Sequence, residues 1–245
     1  MGTEPYNFLN GCLNLLLLED DPGYQDLILE FLEPVKIFVF RKASTTSSAM
    51  QFINNNQKFH LCILDLGISD YAGDEFFILR NYADCIPCIV LTGSQSPGKG
   101  AACIQLGAKM VMEKGSRFKF DIFYSSICEH TIRGILSQKA AKKASDTLNA
   151  SIDILLQRNP STVTQWAEYL LITDRQMRNL WYNETGFGAK HILELHMLLS
   201  NAFRYYQYIL FGKKDVRVTT SWQDDSRSHL FFNNHREEIE KILMN

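Results

Sequence analysis

The stretch Phe59-His60-Leu61-Cys62-Ile63-Leu64-Asp65-Leu66-Gly67-Ile68-Ser69-Asp70-Tyr71-Ala72-Gly73 decides the fold. Its first half is an apolar run that ends at a single carboxylate, Asp65, and then breaks into a loop. Such a run is typical of a buried strand in a parallel sheet. Open α/β sheets carry their chemistry at the carboxyl ends of their strands. A carboxylate buried at that edge is costly without a partner, so the sequence should provide acids that share a metal ion with it or cations that neutralise it.

Three further apolar runs in the sequence also end in polar side chains. They place an acid pair, a hydroxyl and an ammonium after strands, at Glu19 and Asp20, at Thr92 and at Lys114. Because the carboxyl ends of parallel strands meet at one edge of a sheet, we expect these groups to lie near Asp65. Clustered carboxylates with water make the octahedral oxygen site that Mg²⁺ takes. The hydroxyl and the ammonium are suited to hold a phosphoryl group.

Over roughly residues 12–136 this pattern resembles the receiver domain of bacterial two-component response regulators. The resemblance implies a flavodoxin-like α/β fold with a doubly wound, five-stranded parallel sheet. It also implies that a histidine kinase or a phosphotransfer protein supplies the phosphoryl group. The implied roles are phospho-acceptor for Asp65, Mg²⁺ ligands for Glu19, Asp20, Asp65 and the backbone carbonyl of Gly67, and phosphoryl contacts for Thr92 and Lys114.

The sequence departs from the receiver pattern at three positions, although Gly73 matches the glycine of the family's loop. Ser69 stands where proline is usual, Gly115 replaces the proline that usually follows the lysine, and Val111 replaces the usual switch aromatic. These departures leave the expected pocket chemistry unchanged. They affect the family's route for reporting phosphorylation to the face made by the fourth helix, the fifth strand and the fifth helix.

Length and composition bound the remaining possibilities. The 245 residues have room for two domains, and the net charge of −2 gives no global basic field that would point to nucleic acid. Residues 1–11 are expected to form a flexible leader without a signal segment, and residues 13–18 are too short to cross a membrane. We therefore expect a cytoplasmic protein with no membrane partner. The alternation at residues 35–40 predicts the second strand.

A helical connector over residues 137–150 is expected to lead to a separate all-α domain over residues 151–245. Thr164 and Thr173 are candidate helix N-caps, and between them lies the apolar turn Leu171-Ile172. Two helices around a short turn make a helix-turn-helix, whose second helix enters the major groove of DNA.

Residues 151–211 resemble the first helix-turn-helix and the linker helix of the AraC-type DNA-binding module. The resemblance places base contacts at Arg175, Arg178 and Asn179, which should point outward from the second helix. Arg and Asn side chains contact guanine and adenine through paired hydrogen bonds. Residues 213–245, where a second helix-turn-helix should follow, show only a degenerate match.

The sequence thus predicts a response regulator that is phosphorylated on Asp65, forms a homodimer on phosphorylation, and regulates transcription by binding DNA. No acid–base or nucleophile set stands out beyond the receiver pocket, so we do not expect an enzyme. The alternative is a phosphorylation-dependent protein-interaction module whose helical domain does not bind DNA. The degenerate second half favours this alternative, as do the five basic and five acidic residues that balance over residues 151–210.

Overall fold

The structure is a computed structural model that describes residues 6–55, 57–68, 74–93, 97–139 and 144–212, together with residues 234, 237, 242 and 243. The chain forms two compact units, of which the first is built mainly from residues up to Gly134 and the second mainly from residues 135–208. Among the described residues, no helix has both the length and the apolar character that a membrane span requires.

The first unit contains one five-stranded parallel sheet in the order β2-β1-β3-β4-β5. Its strands are β1 (Leu13–Leu18), β2 (Phe38–Ala43), β3 (Leu61–Asp65), β4 (Cys88–Thr92) and β5 (Met110–Glu113). Every residue of β3 and β4 is buried, as expected for central strands covered on both faces. The predicted flavodoxin-like receiver fold is therefore confirmed.

In the described segments of this unit, five α-helices accompany the sheet: α1 (Pro22–Leu32), α2 (Thr46–Asn54), α3 (Phe77–Tyr82), α4 (Pro97–Gln105) and α5 (Phe120–Ser137). Local chemistry fixes where the first two begin. The Asp21 side chain caps α1 by accepting a hydrogen bond from the backbone N–H of Gly23 at 2.8 Å, and proline occupies the first helical position. Thr45 and Ser48 form a reciprocal capping box at the start of α2.

Gly134 lets α5 approach the start of β3 closely. A Cβ atom at this position would lie 2.0 Å from the backbone oxygen of His60, so no other residue fits without a shift of backbone. Two hydrogen bonds to Asn14 hold His60 in place. The backbone N–H of His60 donates to the Asn14 carbonyl at 2.9 Å, and its ring Nδ1 accepts from the backbone N–H of Asn14 at 3.0 Å.

Two predictions for the start of the chain are wrong in detail. The strand expected at residues 35–40 lies at 38–43, because Val35 and Ile37 are buried in the turn that precedes it. The leader expected over residues 1–11 is partly structured, since residues 7–9 form a 3₁₀ helix and Leu9 is buried. The N–H of Gly11 also donates to the Lys36 carbonyl at 3.0 Å.

The second unit contains the helices α6 (Asp146–Arg158), α7 (Val163–Tyr169), α8 (Asp174–Thr185) and most of α9 (Ala189–Phe211). Two fully buried indoles, Trp166 and Trp181, pack at a centroid distance of 5.3 Å between α7 and α8. Ser151 of α6 accepts a hydrogen bond from each indole. Its backbone oxygen accepts from Trp166 Nε1 at 3.0 Å, and its Oγ accepts from Trp181 Nε1 at 2.9 Å. Three helices thus share one core.

The helix pair expected between residues 164 and 185 is present, but its first cap differs. Thr162, and not Thr164, caps α7 by accepting from the N–H of Gln165 at 3.1 Å, because buried Val163 already belongs to the helix. Thr173 caps α8 as predicted. Gly186 ends α8 at φ 76°, a conformation that favours glycine.

The connector expected over residues 137–150 is not one continuous helix. Helix α5 ends at Ser137 and helix α6 begins at Asp146, and the residues described between them (138, 139, 144 and 145) are not helical. Ser145 starts the new helix, because its side chain accepts a hydrogen bond from the N–H of Leu148 at 3.0 Å.

Candidate functional site

The ends of β1 and β3 bring three carboxylates together. Leu18 of β1 pairs with Leu64 of β3, so Glu19 and Asp65 follow at the same edge of the sheet, next to Asp20. Each of the three carboxylates offers an oxygen within 4.8 Å of the others. Glu19 is fully buried and Asp65 is only 6% exposed, whereas Asp20 is exposed. The predicted acid cluster is therefore present in the fold.

Lys114 supplies the cation of this cluster. Its Nζ lies 2.8 Å from Glu19 Oε1, 2.7 Å from Glu19 Oε2 and 2.9 Å from Asp65 Oδ1. Its backbone N–H donates to the Thr92 carbonyl at 2.8 Å, which continues the β4–β5 ladder past Glu113. We call the group formed by Glu19, Asp20, Asp65 and Lys114 the acid pocket.

The surroundings of Glu19 raise the pKa of its carboxyl group. Desolvation raises the pKa of its carboxyl group most strongly, and the neighbouring charge of Asp65 raises it further. The hydrogen bond from Lys114 lowers it, but the net direction is upward. Two buried acids facing each other thus favour a nearby cation, either the ammonium or a metal ion.

Two neutral residues complete the edge of the acid pocket. A Cβ atom on Gly67 would lie 3.1 Å from Asp65 Oδ2, so a side chain there would crowd the carboxylate. Thr92 is the last residue of β4 and is 8% exposed, one strand away from Asp65. Their roles as a metal-binding carbonyl and a phosphoryl-binding hydroxyl stay predictions.

The donor set of the acid pocket fits Mg²⁺. Within the described part of the chain, three carboxylates converge, one of them is exposed to exchange ligands with water, and no nitrogen or sulfur ligand is among them. Hard oxygen ligands of this kind, with retained water, are those that Mg²⁺ takes in proteins. Glu19, Asp20, Asp65 and the Gly67 carbonyl are the residues that would hold it.

Tyr24 is a pocket residue that the sequence did not reveal. The Nζ atom of Lys114 lies 4.6 Å from the centroid of its ring, within the range of a cation–π contact. Burial, followed by the charges of Glu19 and Asp65, raises the pKa of the Tyr24 phenol to about 12, so it is neutral at physiological pH. Helix periodicity predicts only that this side chain faces inward.

The departures from the receiver pattern have different structural settings. Val111 is partly buried on β5 and packs against the apolar cluster beneath the sheet. Gly115 adopts φ 119°, which a proline cannot reach because its ring fixes φ near −65°. Ser69 and Gly73 lie outside the described residues.

In the second unit, the three predicted base-contacting residues, Arg175, Arg178 and Asn179, are all exposed on α8. Arg178 Nε donates to Asp174 Oδ2 at 2.9 Å, so an acid interrupts the basic face. Two apolar side chains are also exposed nearby: Leu171, 93% exposed at φ 57° in the turn, and Tyr182, 65% exposed on α8. This surface mixes positive, negative and apolar groups.

Residues 15–119 match the family model described as the response regulator receiver domain. The match and the sheet together define these residues as a response regulator receiver domain. Such domains are generally phosphorylated on an aspartate, typically bind Mg²⁺ at an acidic pocket, and are generally signalling modules and not enzymes. They imply a histidine kinase or a phosphotransfer protein as partner.

Several solved receiver structures are similar to this part of the chain. The signal receiver domain of a putative Luxo repressor protein from Vibrio parahaemolyticus is 26% identical and covers 51% of this chain and 94% of its own, with a TM-score of 0.44. The HemR receiver domain from Leptospira biflexa is 27% identical, with 49% and 94% covered and a TM-score of 0.41. The receiver domain of a DNA binding response regulator from Colwellia psychrerythraea 34H is 21% identical, with 47% and 94% covered and a TM-score of 0.42. A search of curated proteins found no significant match to this chain.

Proposed function

We propose that the chain is a response regulator of a cytoplasmic phosphorelay, that Asp65 is its phospho-acceptor, and that the second unit binds DNA to regulate transcription. The observation that carries the first part is the position of Lys114, whose ammonium contacts both Glu19 and Asp65 at the carboxyl edge of the sheet. A buried acid with a cation beside it is suited to become an acyl phosphate, because the ammonium can compensate the negative charge of the phosphoryl group.

The residues of the acid pocket have distinct roles in this reaction. A carboxylate oxygen of Asp65 attacks the phosphorus of a phosphohistidine, a P–O bond forms, and the P–N bond to the donor imidazole breaks. Glu19, Asp20, Asp65 and the Gly67 carbonyl would hold Mg²⁺, and the bound ion would supply positive charge that compensates the phosphoryl oxygens. Lys114 leaves Asp65 for a phosphoryl oxygen, and the Thr92 hydroxyl donates to another.

Intact mass tests this assignment. The protein is incubated with acetyl phosphate and Mg²⁺, and we expect one added phosphoryl group that disappears in chelator and in Asp65→Asn. Asp26→Asn removes an exposed acid of α1 and should label normally. Label that persists in Asp65→Asn or in chelator would show that another residue is the acceptor.

The outward face of α8 supports DNA binding as the output. Arg175, Arg178 and Asn179 have the chemistry that contacts base edges, and they are exposed on a helix that follows a short turn. The near-neutral charge of the unit means that one copy neutralises few phosphates. We therefore propose that phosphorylation favours a homodimer, which doubles the contacts with the DNA backbone.

A second candidate output is a phosphorylation-dependent interaction with another protein. The Asp174–Arg178 ion pair and the exposed Leu171 and Tyr182 favour it, because apolar side chains beside a paired charge suit a protein surface more than a phosphate backbone. Selection of duplexes from a random DNA pool by the phosphorylated full chain separates the two. Enrichment of a common sequence supports DNA binding, and a pool that stays random supports the interaction module.

A further inference from the structure

We propose that Tyr24 is a positioning residue whose ring holds Lys114 on the acid pocket and thereby lowers the affinity of the resting pocket for Mg²⁺. This inference rests on the proposed function, in which Glu19 and Asp65 are metal ligands. It gives the resting protein a device that opposes metal binding, built from one aromatic ring of α1 and the ammonium at the end of β5.

The contacts of Lys114 define the resting arrangement. Its ammonium lies between two carboxylates, at 2.7 Å from Glu19 Oε2 and 2.9 Å from Asp65 Oδ1, and the Tyr24 ring centroid lies at 4.6 Å. The lysine side chain is 15% exposed, so the contact is largely shielded from water. A cation–π contact gains strength when it is desolvated in this way.

The ring is fixed by a second aromatic residue from the same strand–helix connection as Lys114. Phe118 contacts Tyr24 edge to face, with ring centroids 6.3 Å apart and planes inclined at 87°. Phe118 in turn packs against Phe123 of α5 at 5.1 Å. The Tyr24 ring therefore packs between the Lys114 ammonium and Phe118 just before α5, and any rotation of the ring would break both contacts.

Competition links this contact to the metal. Mg²⁺ would take the carboxylate oxygens that Lys114 now contacts, so any interaction that stabilises the ammonium there weakens the metal site. The strength of cation–π contacts corresponds to a change of about two- to thirty-fold in a binding constant. The Tyr24 hydroxyl contributes nothing to this, because it is buried and has no hydrogen-bond partner among the described residues.

The test is a Mg²⁺ titration of the full chain in three variants. Tyr24→Leu removes the ring and should strengthen Mg²⁺ binding by about two- to thirty-fold. Tyr24→Phe keeps the ring and should stay within about two-fold of wild type. Tyr82→Leu removes a partly buried tyrosine of α3 in the same unit and serves as the matched control, with no expected change.

The sign of the effect and a double-mutant cycle separate positioning from structural damage. A variant that only loosened the fold would weaken Mg²⁺ binding, whereas loss of the competitor strengthens it. In a Lys114→Ala background, Tyr24→Leu should have no effect, since there is no ammonium to hold. Weaker binding in Tyr24→Leu, or an equal effect with and without Lys114, would overturn the proposal.

A metal-free measurement keeps this inference distinct from the proposed function. The Lys114 ε-methylene protons, assigned by their loss in Lys114→Ala, should show an upfield NMR ring-current shift in wild type and Tyr24→Phe. The shift should vanish in Tyr24→Leu. If it is absent in wild type, the ring contact is wrong. If it is present but wild type binds no Mg²⁺, the metal site of the proposed function fails, and with it the competition proposed for Tyr24.

Discussion

The ammonium of Lys114 lies 2.9 Å from Oδ1 of Asp65 and within 2.8 Å of both carboxylate oxygens of Glu19. The sequence predicts that this lysine neutralises the acids or contacts phosphoryl oxygens. The geometry shows the first arrangement, since in the resting protein Lys114 is the counter-cation of the same acids that are proposed to bind Mg²⁺. Mg²⁺ and the Lys114 ammonium would therefore compete for the carboxylates of Glu19 and Asp65.

Lys114→Ala should raise the affinity for Mg²⁺ and abolish the response to phosphorylation. Removing a charged hydrogen-bond donor from two buried carboxylates frees their oxygens, and we expect an increase of about tenfold in metal affinity. Without the ammonium, beryllofluoride, a phosphoryl mimic, should no longer change the assembly state. Isothermal titration measures the first effect and light scattering the second.

The control for that variant is Lys109→Ala, which removes an exposed lysine from the opposite end of β5. It should leave both measurements unchanged. Weaker Mg²⁺ binding in Lys114→Ala would contradict the competition, and normal assembly of Lys114→Ala on activation would remove the lysine from the switch.

The sequence predicts the site better than it predicts the boundaries of some elements. Glu19, Asp65 and Lys114 could be placed together because each ends an apolar run, and parallel strands end at one edge. The start of β2 and the cap of α7 could not be predicted correctly. Val35 and Val163 are buried by tertiary packing, and a local pattern does not show whether a buried valine lies in a strand, a turn or a helix. Tyr24 was missed for a related reason, since its contact with Lys114 joins residues ninety positions apart.

Gly134→Ala should strongly destabilise the first unit. The added methyl group would lie 2.0 Å from the His60 backbone oxygen, so α5 or β3 must move. Overpacking of this kind costs about 1–3 kcal/mol or more. Urea denaturation followed by circular dichroism measures the loss, with Gly100→Ala as the control. Among the described residues outside its own helix turn, no atom lies within 4 Å of a Cβ there, and alanine in helix α4 should be neutral or slightly stabilising.

Acidification should destabilise the second unit through His196. Burial, followed by the charge of Arg204, lowers the pKa of this histidine to about 4 from its ordinary value of 6.5. The unfolded chain therefore binds the proton first, so stability is full above pH 6.5 and falls as the pH drops towards 4. The loss should reach roughly 3 kcal/mol. Urea melts followed by tryptophan fluorescence across this range measure it.

His196→Leu tests the source of that pH dependence. The side chain is 3% exposed, so leucine replaces it with an apolar group that does not titrate. The variant should show a flatter dependence of stability on pH between 6.5 and 4, whatever its stability at neutral pH. An unchanged slope would assign the acid sensitivity of this unit to other groups.

The last prediction concerns α8 as a DNA-contacting helix. Arg175 makes no ion pair within the described part of the chain, whereas Arg178 is paired with Asp174 at 2.9 Å. If both arginines contact bases, Arg175→Ala and Arg178→Ala should each cost about 1–3 kcal/mol on a selected site and relax the preference at one base pair. Asp174→Asn should strengthen binding, because it releases the Arg178 guanidinium and removes a negative charge from the face.

Changes at Lys142 and Lys143, which lie outside the described residues, should weaken all sequences alike and flatten the salt dependence. Binding isotherms of the phosphorylated protein on specific and scrambled duplexes over a salt series measure these effects. If neither arginine variant loses preference and Asp174→Asn gains no affinity, α8 does not contact bases and the protein-interaction function is favoured.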